Sequence, residues 1–271
     1  MNVIYQRNLS LSISVIIIST MSMMTIAKFL AEKPECNEKR VNQVDHSSIA
    51  LNMFGSNRRY PVKREDVKKF CDDTARHLDN LDKFTKECYT SDVQNMAKIF
   101  VYSNKRTMKM YCGNVGGGGG GRRKTKRLQK LLSIAPCLNI YLPQDKCLSQ
   151  FIMKVRNLVQ YQMNSEKIYH TCCYFVDLMK CFDNQLSKLS CATEERREEF
   201  AKLVRSLNGD MINVSCGDYN EQTDRCDYLK PLNQFKTNAN TSQRLLDPKL
   251  RSFFFTSVAM FESIGNNTGS T

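Results

Sequence analysis

The sequence has little of what β-sheet proteins and metal enzymes usually need. It contains no Trp, only 6 Pro and only 3 His among 271 residues. Stretches in which β-branched residues alternate with polar ones are also scarce, and this scarcity favours helices over sheets. We therefore predict an all-α fold.

The three histidines form no recognisable catalytic or metal-binding motif. Neither the Cys-x-x-Cys nor the His-x-x-x-His spacing typical of zinc sites occurs at His46, His77 or His170. Carboxylate pairs such as Asp72 and Asp73 diverge on a helix, and no Ser/His/Asp or Cys/His arrangement is present. The sequence therefore predicts no catalytic residue, no cofactor-binding residue, no cofactor and no metal ligand.

Cysteine, in contrast, is abundant. Twelve cysteines, an even number, predict up to six disulfides in an exported chain, and their pairing cannot be deduced from the sequence. The predicted disulfide cysteines are Cys36, Cys71, Cys88, Cys112, Cys137, Cys147, Cys172, Cys173, Cys181, Cys191, Cys216 and Cys226. Disulfides of this number are typical of secreted proteins, so we predict an extracellular location.

The first 27 residues have the pattern of a secretory signal peptide. A short segment with one cation, Arg7, precedes an apolar run over residues 9–26, and small residues stand before Lys28. We predict cleavage at this point and no stable membrane insertion afterwards. The alternative is an uncleaved signal anchor, because the run approaches the ~20 residues that span a bilayer.

From Cys36 onward the chain has the periodicity of successive amphipathic helices. Apolar residues recur at steps of three and four after Pro61, and a second helix is predicted to begin at 90–92. The predicted helices include 64–88, a short one at 128–134 ended by Pro136, 143–163, 169–189 and 193–207 with a stop at Asn208 and Gly209. We predict a disulfide-stapled bundle of about six to seven amphipathic helices over residues 28–230.

The segment 169–191 is predicted to be the central helix. At about 100° per residue, Cys172 and Cys173 lie on different azimuths and Cys181 lies roughly opposite Cys172. Such a helix can be tied to two or three neighbours. We predict that Cys172 and Cys173 bond to different helices.

Residues 113–127 are predicted to be an exposed, flexible insertion rich in glycine and basic residues. Six consecutive glycines, 116–121, have too much backbone freedom for a helix or strand. A phosphate-binding loop is excluded because Arg123, not Gly, precedes Lys124 and no apolar strand leads in. A protease-processing site at Lys126 and Arg127 remains an alternative. Since no stacking aromatics accompany the basic run, we predict no nucleic-acid partner.

The end of the chain, 231–271, is predicted to be a polar, partly disordered tail. It contains an apolar segment, 253–261, which is too short to span a membrane and is either a helix docked on the body or part of a disordered tail. N-glycosylation acceptor sequences occur at Asn213, Asn240 and Asn266.

One segment resembles the active-site helix of a class of secreted phospholipases but lacks the catalytic histidine. Small disulfide-rich secreted phospholipases carry Cys-Cys-x-x-His-Asp on a helix, and Cys172, Cys173 and Asp177 match three of these positions. The histidine position is Val176, which cannot accept a proton from an attacking water. We therefore exclude this activity.

Several short segments support a family resemblance. The cysteines and their flanks at 36–39, 61–73, 84–88, 135–138 and 172–181 resemble those of an arthropod family of secreted, cysteine-rich, all-helical proteins. That family is similar to an extracellular nematode domain of unknown function. The resemblance covers roughly 36–226 and implies a helical fold but no catalytic residue. It also implies two further cysteines, near Val44 and Asn80, which are absent here together.

Two classes of function remain. The first is a secreted non-catalytic binding protein, which carries an apolar ligand between its helices or docks on another extracellular protein. The alternative is an extracellular hydrolase whose site is assembled from scattered residues. A closed apolar cavity favours a carrier, whereas a cleft with converging His, Asp or Glu of perturbed pKa favours an enzyme.

Overall fold

The computed structural model describes residues 34–52, 58–89, 91–113, 122–237 and 251–265. These residues form eight α-helices: α1 Glu38–Asn52, α2 Asp66–Cys88, α3 Ser91–Cys112, α4 Arg122–Tyr141, α5 Cys147–Leu158, α6 Glu166–Leu186, α7 Glu194–Cys216 and α8 Phe253–Gly265. Four short 3-10 helices are Pro34–Cys36, Leu142–Gln144, Arg225–Tyr228 and Leu232–Gln234. An isolated antiparallel bridge pairs Tyr161 with Thr237. The all-α class is confirmed, and seven of these helices, α1–α7, lie within the region 28–230 for which six to seven were predicted.

Helix α2 shows why the periodicity was informative. Most of its apolar residues are buried, and Leu81 and Phe84 are fully buried. On its outer face, Lys68 pairs with Asp72 at 2.7 Å, one helical turn away. The apolar stripe therefore faces the core while short-range ion pairs cover the solvent side.

Helix α7 does not stop at Asn208 and Gly209, as the sequence suggested, but continues to Cys216. Helix α3 packs along it, and three buried side chains of α3 bond to this part of α7. Thr107 Oγ1 donates to the Ser206 carbonyl at 2.7 Å, Asn104 Nδ2 to the Leu207 carbonyl at 3.3 Å and Ser103 Oγ to Asp210 at 3.0 Å. These tertiary contacts offset the cost of about 1 kcal/mol that glycine brings to a helix.

Helix α4 corrects two predictions. It begins within the basic run, at Arg122, so residues 122–127 are helical and not a flexible loop; residues 114–121 lie outside the described residues. It also continues through Pro136 to Tyr141. Beyond the proline it is anchored by the Cys137–Cys191 disulfide and by Asn139, which bonds both the amide and the carbonyl of Tyr60. These anchors offset the helical hydrogen bond that proline removes.

All twelve cysteines are paired, with Cα–Cα distances between 5.5 and 5.8 Å. The six bonds are Cys36–Cys88, Cys71–Cys112, Cys137–Cys191, Cys147–Cys181, Cys172–Cys216 and Cys173–Cys226. Helix α6 is thus tied to α5, to the end of α7 and to the 3-10 helix Arg225–Tyr228. As predicted, Cys172 and Cys173 bond to different elements, although the partner of Cys173 lies in a 3-10 helix.

The boundary predicted near residue 230 does not mark the end of the core. Helix α8 lies against α1, α3 and α5. Its Phe253, Phe254 and Phe255 are each at most 7% exposed. The ring of Phe254 is 5.4 Å from that of Phe100 in α3. Of the two alternatives for this segment, the structure has the helix, and the helix is part of the core.

Candidate functional site

One void in the interior of the bundle is too small for a ligand. The void beside Phe151, Phe175 and Phe253 measures about 10 Å³. That is at most the space of one water molecule. Phe253 of α8 lines this void, so this part of the interior does not form a carrier site.

A larger cavity lies at the surface between α6 and α7. This α6–α7 cleft has a volume of about 410 Å³. It is lined by Cys172, Phe175, Val176, Arg205, Ile212, Cys216, Gly217, Tyr219, Asn220, Glu221 and Gln222. Phe175 and Val176 come from α6, Arg205 and Ile212 from α7, and the remaining polar residues from the loop after α7.

The loop 217–222 is held in place by local bonds. Gly217 ends α7 with φ of 50°, a left-handed conformation that costs glycine little. Nη2 of Arg205 contacts both carboxylate oxygens of Glu221, at 2.7 and 2.9 Å. The ring of Tyr219 stacks on that of Tyr169, with centroids 4.4 Å apart. The Cys172–Cys216 disulfide joins the two helices at the base of the cleft.

The chemistry of the cleft is divided between an apolar floor and a polar rim. Phe175 and Val176 are each 7% exposed and form the floor together with Ile212. Arg205 and Glu221 place opposite charges at the rim. The volume lies within the ~300–1,000 Å³ of small-molecule sites, which combine apolar walls with a few polar groups. The cleft therefore fits a ligand with an apolar body and one polar end.

A second concavity, the α1–α2 groove, is open and polar. It has a volume of about 910 Å³ and is lined by Glu38, Lys39, Asn42, Gln43, His46, Ser47, Arg76, His77 and Asn80. The rings of His46 and His77 are 6.1 Å apart. Nδ1 of His77 is 3.3 Å from Ser47 Oγ, which also accepts a 2.9 Å hydrogen bond from Asn80. Partial burial, reinforced by Arg58, His46 and Arg76, lowers the pKa of His77, so its ring is neutral at neutral pH.

The Ser47–His77 pair lacks most features of a nucleophilic site. Ser47 is only 4% exposed and lies within α1, where the backbone amides are engaged in helical hydrogen bonds and do not form an oxyanion hole. Throughout the described ranges, no three His, Cys, Asp or Glu side chains are placed to bind one metal ion. The groove can therefore form hydrogen bonds and weak ionic contacts but has no evident catalytic apparatus.

Sequence reasoning missed both concavities. His46 and His77 are far apart in the sequence, and they meet because α1 packs along α2. The Cys36–Cys88 disulfide joins the 3-10 helix before α1 to the end of α2. The resemblance implies cysteines near Val44 and Asn80. Asn80 donates a hydrogen bond to Ser47, which lies about one helical turn after Val44 on α1, so these two positions lie on adjoining helices. His170, the third histidine, packs against Phe235, and burial lowers its pKa.

Only one of the three predicted glycosylation sites lies among the described residues. Asn213 lies in the last turns of α7, whereas Asn240 and Asn266 lie outside the described residues. The predicted signal peptide, 1–27, also lies outside them. None of the helices described here combines the length and apolar character needed to cross a membrane.

Comparison with family models, with curated proteins and with solved structures gives no match. The arthropod resemblance therefore stays a prediction that depends on the cysteine spacing and flanking residues given above.

Proposed function

We propose that this chain is a secreted, non-catalytic binding protein that holds a small amphipathic ligand in the α6–α7 cleft. The observation that carries the proposal is the 410 Å³ cleft with an apolar floor and a charged rim. The proposed ligand site therefore lies at the surface and not in the interior, where α8 packs. Its extracellular part is supported by six disulfides, which persist in oxidising compartments.

Fluorescence titration with 1-anilinonaphthalene-8-sulfonate tests the site, because this probe combines apolar rings with one anionic group. We expect Ile212→Trp, which fills the cleft, to abolish binding. Val214→Trp is the matched control: Val214 lies two residues away on α7 and is 75% exposed. Equal probe binding by wild type and Ile212→Trp would overturn the proposal.

Arg205→Ala provides a second variant that leaves the floor intact. The Arg205 side chain is 47% exposed, so its loss should leave the fold unchanged. We expect severalfold weaker binding of the sulfonate probe and a smaller effect on a neutral naphthalene probe. Unchanged binding of both probes would contradict a site at this rim.

An extracellular hydrolase is the second candidate, favoured by the 3.3 Å contact between His77 and Ser47 beside an open groove. A fluorophosphonate probe followed by peptide mapping separates it from a binding protein. The binding proposal predicts no labelling of Ser47. Labelling of Ser47, together with ester turnover that Ser47→Ala and His77→Gln both abolish, would favour the hydrolase.

A further inference from the structure

The basic run is helical, so its residues have fixed positions around the axis of α4. The first three turns of α4 contain six cationic residues: Arg122, Arg123, Lys124, Lys126, Arg127 and Lys130. At about 100° per residue, all of these positions except that of Lys124 fall within an arc of about 140°. They extend over about 12 Å of the helix axis, at 1.5 Å per residue. We call these five residues the α4 basic face.

The opposite side of α4 is buried. Leu128 and Leu131 are 6% and 3% exposed, whereas Lys126, Arg127 and Lys130 are exposed. The amino group of Lys130 contacts the carboxylate of Glu199, which also pairs with Lys202 at 3.2 Å. Within the described residues, no carboxylate pairs with Lys126 or Arg127. Lys126 and Arg127 are therefore presented to solvent.

Helix stability does not explain this placement of charge. The amino-terminal end of a helix carries partial positive charge, which favours acidic residues there. The first turn of α4 has no acidic residue and instead has cations. A local arrangement that opposes the helix dipole is typical of a functional surface, where a partner supplies the missing charge.

We infer that the α4 basic face binds a sulfated polysaccharide. Successive cations lie about 5–6 Å apart on neighbouring turns, which suits a linear polymer with regularly spaced anionic groups. The segment 122–130 contains no aromatic residue for stacking on bases. Its one large apolar residue, Leu128, is buried and cannot insert into a bilayer. The disulfides fit an oxidising compartment, where sulfated polysaccharides are abundant polyanions. This surface is separate in sequence from the lining residues of the α6–α7 cleft.

Binding of a heparin dodecasaccharide to the full chain, measured by calorimetry at about 150 mM NaCl, tests the inference. We expect Lys126→Ala/Arg127→Ala to weaken binding roughly 10- to 30-fold and to reduce the salt dependence by about two counterions. Alanine is a better helix former than either residue, so α4 should persist, which circular dichroism would verify.

The matched control removes the same number of charges from another helix. Lys68→Ala/Lys83→Ala acts on side chains of α2 that are 70% and 61% exposed. We expect less than a twofold change. An equal loss in both double variants would show diffuse attraction by net charge and would overturn the inference. Tighter binding of a single-stranded DNA of equal charge, or of vesicles of phosphatidylserine and phosphatidylcholine, would also contradict it.

Discussion

Helices α6 and α8 are both held tightly, but by different means. Each of the three cysteines of α6 is bonded to another element. Helix α8 has no cysteine, yet every residue from Ser252 to Met260 is buried. Disulfides act largely by restricting the unfolded chain, whereas buried apolar contacts stabilise the folded one. A helix outside a cysteine framework can therefore still be central to the core.

Polar contacts also fix both ends of α8. At its start, the carboxylate of Asp45 in α1 accepts hydrogen bonds from the amides of Arg251 and Ser252, at 3.0 and 2.9 Å. Near its end, Nζ of the fully buried Lys167 donates to Ser263 Oγ at 2.7 Å. Burial lowers the pKa of Lys167 to about 8 and raises that of Glu262, also on α8, to about 8. Packing thus outweighs the cost of placing ionisable groups around α8.

The largest effect is expected from a cavity in α8. Phe254 is 1% exposed and contacts the rings of Tyr89, Phe100 and Phe255. Phe254→Ala should lower the free energy of unfolding by about 3–5 kcal/mol. Urea unfolding followed by circular dichroism measures this, since the chain has no Trp. The control, Tyr228→Ala at a site 77% exposed, should change it by less than about 0.5 kcal/mol.

A smaller effect is expected from removing one cross-link of α6. Cys172→Ala/Cys216→Ala opens a loop with a sequence separation of 44. It should cost about 2–4 kcal/mol, because the unfolded chain regains conformational freedom. The same unfolding experiment applies. A loss clearly greater than that of Phe254→Ala would reverse the ranking of covalent and packing contributions.

Removing the polar cap of α8 should cost less again. Asp45→Ala leaves two backbone amides at the start of α8 without their acceptor and should lower the free energy of unfolding by roughly 1–3 kcal/mol. Asp72→Ala, which removes an exposed carboxylate from α2, is the control and should cost less than about 0.5 kcal/mol. Equal effects would show that α8 does not depend on this cap.

The smallest effect concerns Glu262 and depends on pH. Its folded pKa of about 8 exceeds the ordinary value of 4.5, so the folded state keeps a proton that the unfolded state loses. This contribution to stability therefore falls as pH rises from about 4.5 to 8. As pH rises from about 6 to 7, where Lys167 is mainly charged in both states, the free energy of unfolding of Glu262→Gln should gain about 1–2 kcal/mol relative to that of wild type. A pH-independent difference would show that the carboxyl is solvated.

Some of these features could be read from the sequence and others could not. Periodicity located α2 within two residues, because burial of one face imposes that pattern directly. The same reasoning predicted that α7 ends at Asn208 and that α4 ends at Pro136, and both predictions were wrong. Local propensity carries no information on tertiary contacts such as the hydrogen bond from Asn104 or the Cys137–Cys191 disulfide. Helix α8 was ambiguous because it is buried nearly all round and has no polar face to mark it. The α6–α7 cleft is formed by contacts between α6, α7 and the following loop. Local sequence patterns do not predict such tertiary contacts.

We conclude that α8 is as integral to the core as the cross-linked α6. Native-state amide hydrogen exchange with mass spectrometry tests it directly by comparing peptides from the two helices. We expect amides over 255–263 to exchange only through global unfolding, as slowly as the most protected amides of α6. Exchange of α8 within seconds, while α6 stays protected, would show a loosely docked segment and contradict the claim.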